Sequence, residues 1–324
     1  MEIDTLSVIL IFLIVFFVFL TIRDAPNPDV HPLLLTLQSD AAKVRYPGES
    51  AVYRRGGSQN GMGIFERDAK TLADLFSNKT NKDMQCLGSR RDGSGKYVWQ
   101  TYEQVAERVA NFGSGLIKHT GLESKDLLGI FMNSRPGIGL VPFICYEGII
   151  DMQLTNKHAM FHVEWVIADL ASSHYNLITV AMLSSSPRLT DVINQLQLTD
   201  VRVIVVSQET LPVIFSASSS PNSLRHVILV GDNKTVITDE QREQANALKL
   251  NLCSFEEIEE IGKKERVEYK FAAPKDTATI VFSRGTTSEG PKGIELTHEN
   301  ILADIAGILT TVHDKQRTNH EDRY

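Results

Sequence analysis

The sequence predicts an α/β fold with a largely parallel sheet covered by helices on both faces, preceded by one transmembrane helix. Three observations predict it. Short apolar, β-branched runs alternate with helical patterns along most of the chain. Those runs are continuous rather than strictly alternating, as in strands buried on both faces. Finally, the amino terminus carries one nearly unbroken apolar run, Leu6 to Ile22.

Composition sets the bounds. The chain has 324 residues, enough for one large domain or two ordinary ones. It is 42% hydrophobic and 23% charged, a globular balance. A net charge of −7 argues against a nucleic-acid-binding surface. Cys86, Cys145 and Cys253 are widely spaced and odd in number, and no C-x-x-C occurs. Neither a disulfide framework nor a zinc site is expected. His158 and His162 stand four apart, but Ala159-Met160-Phe161 lies between them, so the H-E-x-x-H metal pattern is absent.

The apolar run 6–22 reaches about 25 Å as a helix, at the short end for a membrane span. Glu2 and Asp4 precede it, and Arg23-Asp24-Ala25-Pro26 follows. A signal peptide would carry a basic leader and small residues at its cleavage site, so an uncleaved anchor is expected. Basic residues gather after the run, at Arg23, Lys43, Arg45, Arg54 and Arg55. The positive-inside rule then leaves residues 1–5 lumenal or outside and the remainder cytosolic. The endoplasmic reticulum is the expected membrane, with the outer mitochondrial and peroxisomal membranes as alternatives.

Residues 23–66, punctuated by Pro26, Pro28, Pro32, Pro47 and Gly48, read as an extended arm with one short helix. The main domain then covers 67–324. Thr71 to Phe76 begins a helical pattern, Gly88 to Gly95 is turn-rich, and Tyr97-Val98-Trp99 is a short strand. Thr101-Tyr102-Glu103-Gln104 is a capping box, with Val105, Val109, Phe112 and Leu116 following at helical spacing. Leu127–Met132, Leu177–Met182, Val201–Val206 and Val227–Val230 are buried strands, and Glu164–Ala171 is a helix. Ser186-Pro187 reads as a helix start, Ser216–Ser220 as a loop and Ser254-Phe255-Glu256-Glu257 as a second capping box.

Chemistry concentrates in Ile280 to Gly293, where an apolar strand runs into a hydroxyl- and glycine-rich loop closed by Lys292. Main-chain N–H groups, hydroxyls and an ammonium in this order hold phosphates. The P-loop pattern G-x-x-x-x-G-K-[ST] fits Gly285 and Gly290, then fails: Pro291 precedes Lys292, and Gly293 stands where a magnesium-binding hydroxyl belongs. Thr297 caps the helix that follows, with Ile301, Leu302, Ile305, Ile308, Leu309 and Val312 as its buried stripe. His298 is given no catalytic role.

The loop resembles that of adenylate-forming enzymes, T-S-G-T-T-G-x-P-K-G. Four other segments resemble long-chain acyl-CoA synthetases, a branch of that AMP-binding superfamily: Pro47 to Arg54, Leu87 to Arg90 followed by Tyr97 to Tyr102, Phe112 to Leu116, and Glu164 to Leu170, the last similar to N-R-P-E-W-x-x-x-D. The resemblance covers nearly everything after about residue 30. It implies the large amino-terminal domain of the adenylate-forming fold, in incomplete form. It also implies a reaction in which a fatty-acid carboxylate attacks the α-phosphate of ATP with Mg present, after which coenzyme A takes the acyl group from the adenylate. Carried onto this chain, the ATP-phosphate contacts are Ser283, Thr286 and Thr287 through hydroxyls, Gly285 and Gly290 through backbone approach, and Lys292 through charge, with Gly293 closing the loop. No metal ligand and no catalytic side chain is assigned.

Three departures limit the match. Arg284 stands where the family has a hydroxyl, Ser288 where it has glycine, and one extra residue precedes Pro291. Asn133-Ser134-Arg135-Pro136 is split from Glu164-Trp165, leaving 137–163 as an atypical insertion, hypothesised to be an intron translated in frame. The sequence also ends before the family's later ATP motifs, so the chain alone is expected not to complete adenylation. The alternative is a membrane-anchored, non-catalytic paralogue that acts by binding a partner.

Overall fold

The computed structural model describes residues 11–19, 39–41, 53–55, 69–77, 82–89, 98–132, 163–182, 188–220, 222–231, 237–283 and 291–311. It divides into two compact units, Met1–Met62 and Gly63–Tyr324.

In the first unit, residues 11–19 are helical with every side chain exposed. Nine residues rise about 13 Å, and among the described residues no helix is long and apolar enough to cross a membrane. Residues 6–10 and 20–22 of the expected anchor lie outside the described set. The segment expected to be an extended arm with one short helix contains an antiparallel ladder of β1 (Ser39–Ala41) and β2 (Tyr53–Arg55), with Asp40 opposite Arg54.

The second unit is a three-layer α/β structure. Its described elements are α1 (Leu72–Ser77), β3 (Gln85–Ser89), β4 (Val98–Thr101), α2 (Tyr102–Thr120), β5 (Leu127–Phe131), α3 (Val163–His174), β6 (Ile178–Ala181), α4 (Leu189–Thr199), β7 (Val203–Ser207), α5 (Leu211–Ala217), β8 (His226–Val230), α6 (Asp239–Ala247), β9 (Asn251–Ser254), α7 (Phe255–Lys264), β10 (Thr277–Ser283), β11 (Lys292–Thr297) and α8 (His298–Thr311). The central sheet has the order β11-β10-β6-β5-β7-β8-β9; every pairing is parallel except β10–β11.

Successive strand residues feed opposite cores, as the two-residue period requires. Val203 and Val205 join a cluster with α1, α2, α3, α7 and α8. Ile204 and Val206 join a second cluster with α4, α5 and α6. Connections that move one way along the sheet, β5 to β6 and β9 to β10, carry α3 and α7 on the first face. Those that move the other way carry α4, α5 and α6 on the second. A single crossover handedness produces this division.

Both expected capping boxes form. Thr101 N–H donates to Gln104 Oε1 at 2.9 Å while Gln104 N–H donates to Thr101 Oγ1 at 3.2 Å. Ser254 and Glu257 do the same for α7. Thr297 caps α8 in the same reciprocal way with Asn300, and Ile301, Leu302 and Ile305 are buried. The side chains of Ile308, Leu309 and Val312 fall outside the described residues.

Several boundaries differ from the sequence expectation. Gly88 and Ser89 belong to β3, because this stretch pairs with β4 instead of turning. Ser216 and Ala217 belong to α5, since Ile214 and Phe215 bury its preceding turn. Helix α4 begins at Leu189, with no side-chain cap from Arg188; Ser186 and Pro187 lie outside the described residues. Val163, placed in the insertion, is the buried first residue of α3, and 137–162 lie outside the description.

Candidate phosphate site

All parallel strands end at one edge of the sheet. The connections reverse at the β5–β7 boundary, where α3 leaves for one face and α5 for the other. Open α/β sheets bind ligands at such a crevice, beyond the carboxyl ends of the strands. The crevice is held shut at its base by Thr210, whose hydroxyl donates to the Phe131 carbonyl at 2.6 Å and accepts from Ser207 N–H at 3.0 Å. The loop that leaves β10 opens at this same edge, two strands away.

That loop closes a hairpin. The sequence placed the lysine at its end, before a helix; the structure inserts the antiparallel strand β11, which begins at Lys292 itself. Ser283 and Lys292 are register partners across the hairpin and both are exposed. Cross-strand partners share a face, so a hydroxyl and an ammonium stand together at the two feet of the loop. Gly293 pairs with Phe282. A Cβ there would sit 3.3 Å from both Ile280 Cγ2 and Phe282 Cε1, so Gly293 gives the Phe282 ring its room. Gly285, Thr286, Thr287 and Gly290 lie outside the described residues. Of the seven expected contacts, the structure therefore brings Ser283 and Lys292 together and gives Gly293 a packing role.

Helix α3 carries two buried acids that sequence reasoning treated only as parts of a motif. Glu164 is fully buried; Arg108 Nη2 reaches its Oε1 at 3.2 Å. The same guanidinium forks onto Glu259 of α7, Nε to Oε1 at 2.8 Å and Nη2 to Oε2 at 3.2 Å. Asp169 is 4% exposed; its Oδ1 accepts the Thr179 hydroxyl at 2.8 Å, and its Oδ2 has no hydrogen-bond partner. Burial pushes its carboxyl up to about 6, against the pull of Thr179. The spacing of Glu164 and Asp169 on one helix was the available signal; which strand and which cation they would meet depended on long-range packing.

The raised Asp169 value has a consequence for stability. The folded state binds this proton more tightly than the unfolded chain does. The associated stability is present in full below the unfolded value near 3.8 and is lost as pH rises through about 6. The loss is about 3 kcal/mol above that range. Asp169→Asn is expected to flatten the dependence of the urea midpoint on pH between about pH 4 and pH 7. An unchanged slope in that variant would assign the dependence to other groups.

His298 is buried at the start of α8, and its Nδ1 accepts Leu72 N–H at 3.3 Å, tying α8 to α1. Burial pushes its imidazole down to about 4, against the pull of Asp276 and Asp74. Among the described residues, no group of three or more His, Cys, Asp or Glu is placed to hold a metal ion.

Known proteins share this fold. The chain is 27% identical over 273 residues to long chain acyl-CoA synthetase 5 of Arabidopsis thaliana, covering 81% of this chain and 35% of the relative. It is 26% identical over 259 residues to long-chain-fatty-acid–CoA ligase 6 of Mus musculus, covering 78% and 32%. It thus spans about a third of the length of the curated relatives it matches. Among solved structures, acetoacetyl-CoA synthetase from Streptomyces lividans superposes with a TM-score of 0.53 at 15% identity, covering 74% of this chain and 32% of that one. An anthranilate CoA ligase in complex with anthranoyl-AMP gives 0.51 at 18%, covering 71% and 35%. These likenesses share the fold. The AMP-binding enzyme family matches residues 161–324, half of the sequence, and the chain belongs to that family.

Proposed function

We propose that this chain contributes the ATP-phosphate loop and sheet scaffold of an enzyme that activates long-chain fatty acids. The fatty-acid carboxylate attacks the α-phosphorus of ATP, pyrophosphate leaves, and the coenzyme A thiol then displaces AMP to give a thioester. A carboxylate resists attack by a thiol until its oxygen becomes part of a good leaving group, which the adenylate supplies. The scaffold's task is to hold two anions together and offset charge on the transferring phosphorus. One observation carries the reading: Ser283 and Lys292, in register and exposed, flank a loop at the carboxyl edge of a parallel sheet. The names of the curated relatives supply the substrate class. Among the described residues no group of three His, Cys, Asp or Glu stands ready for Mg, which would enter on the ATP phosphates.

Binding of a fluorescent ATP analogue to the 324-residue chain tests this reading. Lys292→Ala is expected to weaken it roughly tenfold, equivalent to about 1.4 kcal/mol. Identical affinity for the two proteins would remove the loop from the ATP site.

The same reading places residues 6–22 in a membrane, with the catalytic unit on the cytosolic side, at the endoplasmic reticulum. The exposed apolar helix at 11–19 supports it: Phe12 is 71% exposed and Phe17 66%, surface that lipid would cover. The protein is expected to stay in the membrane pellet after alkaline carbonate extraction and to leave it when residues 6–22 are deleted. Full release of the intact protein by carbonate would overturn the anchor.

A further inference from the structure

His174, the last residue of α3, is 3% exposed, and its Nδ1 lies 2.8 Å from the Leu170 carbonyl. A carbonyl only accepts, so Nδ1 carries the proton and Nε2 presents a lone pair. Nε2 lies 3.2 Å from the hydroxyl of Ser77, the last residue of α1. The Ser77 O–H is therefore the donor. Burial lowers the His174 pKa, against the Leu170 carbonyl and Asp74, which keeps the ring neutral at pH 7. Phe76 meets the imidazole edge-on with ring centres 6.1 Å apart, and Tyr269 lies 5.0 Å away, so packing holds its orientation. An exposed hydroxyl, a neutral base and a group that fixes the base's tautomer are together the parts of an activated nucleophile. They open onto a cavity of about 240 Å³ whose walls include Tyr102, Val109 and Tyr269, with Lys82 also lining it. His174 ends α3 ahead of β6, at the amino edge of the sheet, whereas the β10–β11 loop leaves from the carboxyl edge.

We propose that Ser77 and His174 form a nucleophile–base pair that accepts acyl groups from small activated esters. The Ser77 proton passes to His174 Nε2 as the Oγ–carbon bond forms. The ester carbon–oxygen bond breaks, and the departing alcohol takes the proton back from Nε2. Water, deprotonated by the same nitrogen, then attacks the acyl carbon; the bond to Ser77 Oγ breaks and Oγ takes the proton back from Nε2, so that ester and water become acid and alcohol. Lys82 and Glu103 both line the cavity, and the Leu170 carbonyl acts as a positioning group.

A fluorophosphonate probe tests the pair, because attack at phosphorus expels fluoride and leaves a stable adduct on the nucleophile. With the folded chain, peptide mapping by mass spectrometry is expected to find one dominant adduct, on Ser77. It should form roughly tenfold or more faster than on the same serine in heat-denatured chain. Ser77 is exposed, so Ser77→Ala should fold as the parent does, checked by circular dichroism, and should lose both the adduct and any p-nitrophenyl acetate hydrolysis above the solvent rate. Adducts confined to other residues, or equal labelling of Ser77 in folded and denatured chain, would overturn the proposal.

Discussion

Replacing Gly115 with alanine is expected to destabilise the second unit by about 3 kcal/mol, the upper end of ordinary overpacking. Gly115 of α2 and Gly262 of α7 face each other where the helices cross. A Cβ at 115 would sit 1.8 Å from the Ile258 carbonyl oxygen, and one at 262 would sit 1.9 Å from the Asn111 carbonyl oxygen. Both obstacles are backbone, so no side chain can swing aside and the helices themselves must separate. Separation would also open the Phe112–Phe255 stack, whose ring centres are 4.0 Å apart. Alanine improves helix propensity by about 0.5–1 kcal/mol, which the clash outweighs. Thermal unfolding should fall by roughly 5–10 °C. A midpoint within about 1 °C of the parent would mean that the crossing is looser than the structure has it.

Arg108→Met is expected to cost about 3–5 kcal/mol, the range for removing one partner of a buried ionic cluster. Methionine keeps the apolar stem but takes away the guanidinium that joins α2 to α3 and α7. Glu164 would remain with its side chain wholly buried and Glu259 at 15% exposed, two acids in one place without their cation. Burial already raises the Glu259 carboxyl, against the pull of Arg108. A raised carboxyl contributes stability that is lost as pH rises through its folded value. The deficit of the variant should therefore be larger at pH 8 than at pH 5, by denaturant midpoints. Adding Glu164→Gln to the variant should recover part of it. A loss below about 1 kcal/mol would place the cluster with ordinary surface ion pairs.

These two sites differ in how far the sequence announced them. Gly115 lies inside the stretch Phe112 to Leu116, which was legible as a helix, yet its partner Gly262 is 147 positions later. Nothing local in either helix says that the other needs its backbone to come close. Arg108 is similar: its helix was legible from the Thr101 capping box, while its partners on α3 and α7 come from separate parts of the chain. The strands of the buried sheet were legible because β-branched apolar runs have few other places to go. Strand β9, Asn251–Ser254, was not, because its exposed first residue and edge position give a short, mixed pattern.

The sequence by itself determined the layered α/β class, the caps of α2, α7 and α8, and the loop at 283–293 as the candidate phosphate site. Each of these is written in local spacing: period, capping pair, or glycine and hydroxyl beside lysine. Only the tertiary structure decided that Lys292 opens an antiparallel edge strand opposite Ser283, that Gly293 serves the Phe282 ring, and that Asp169 and Glu164 are buried on one helix with different partners. Those outcomes depend on which strands become neighbours and which helix faces meet. Sheet order and helix crossing are set by the packing of the whole core, and no local window of sequence contains them.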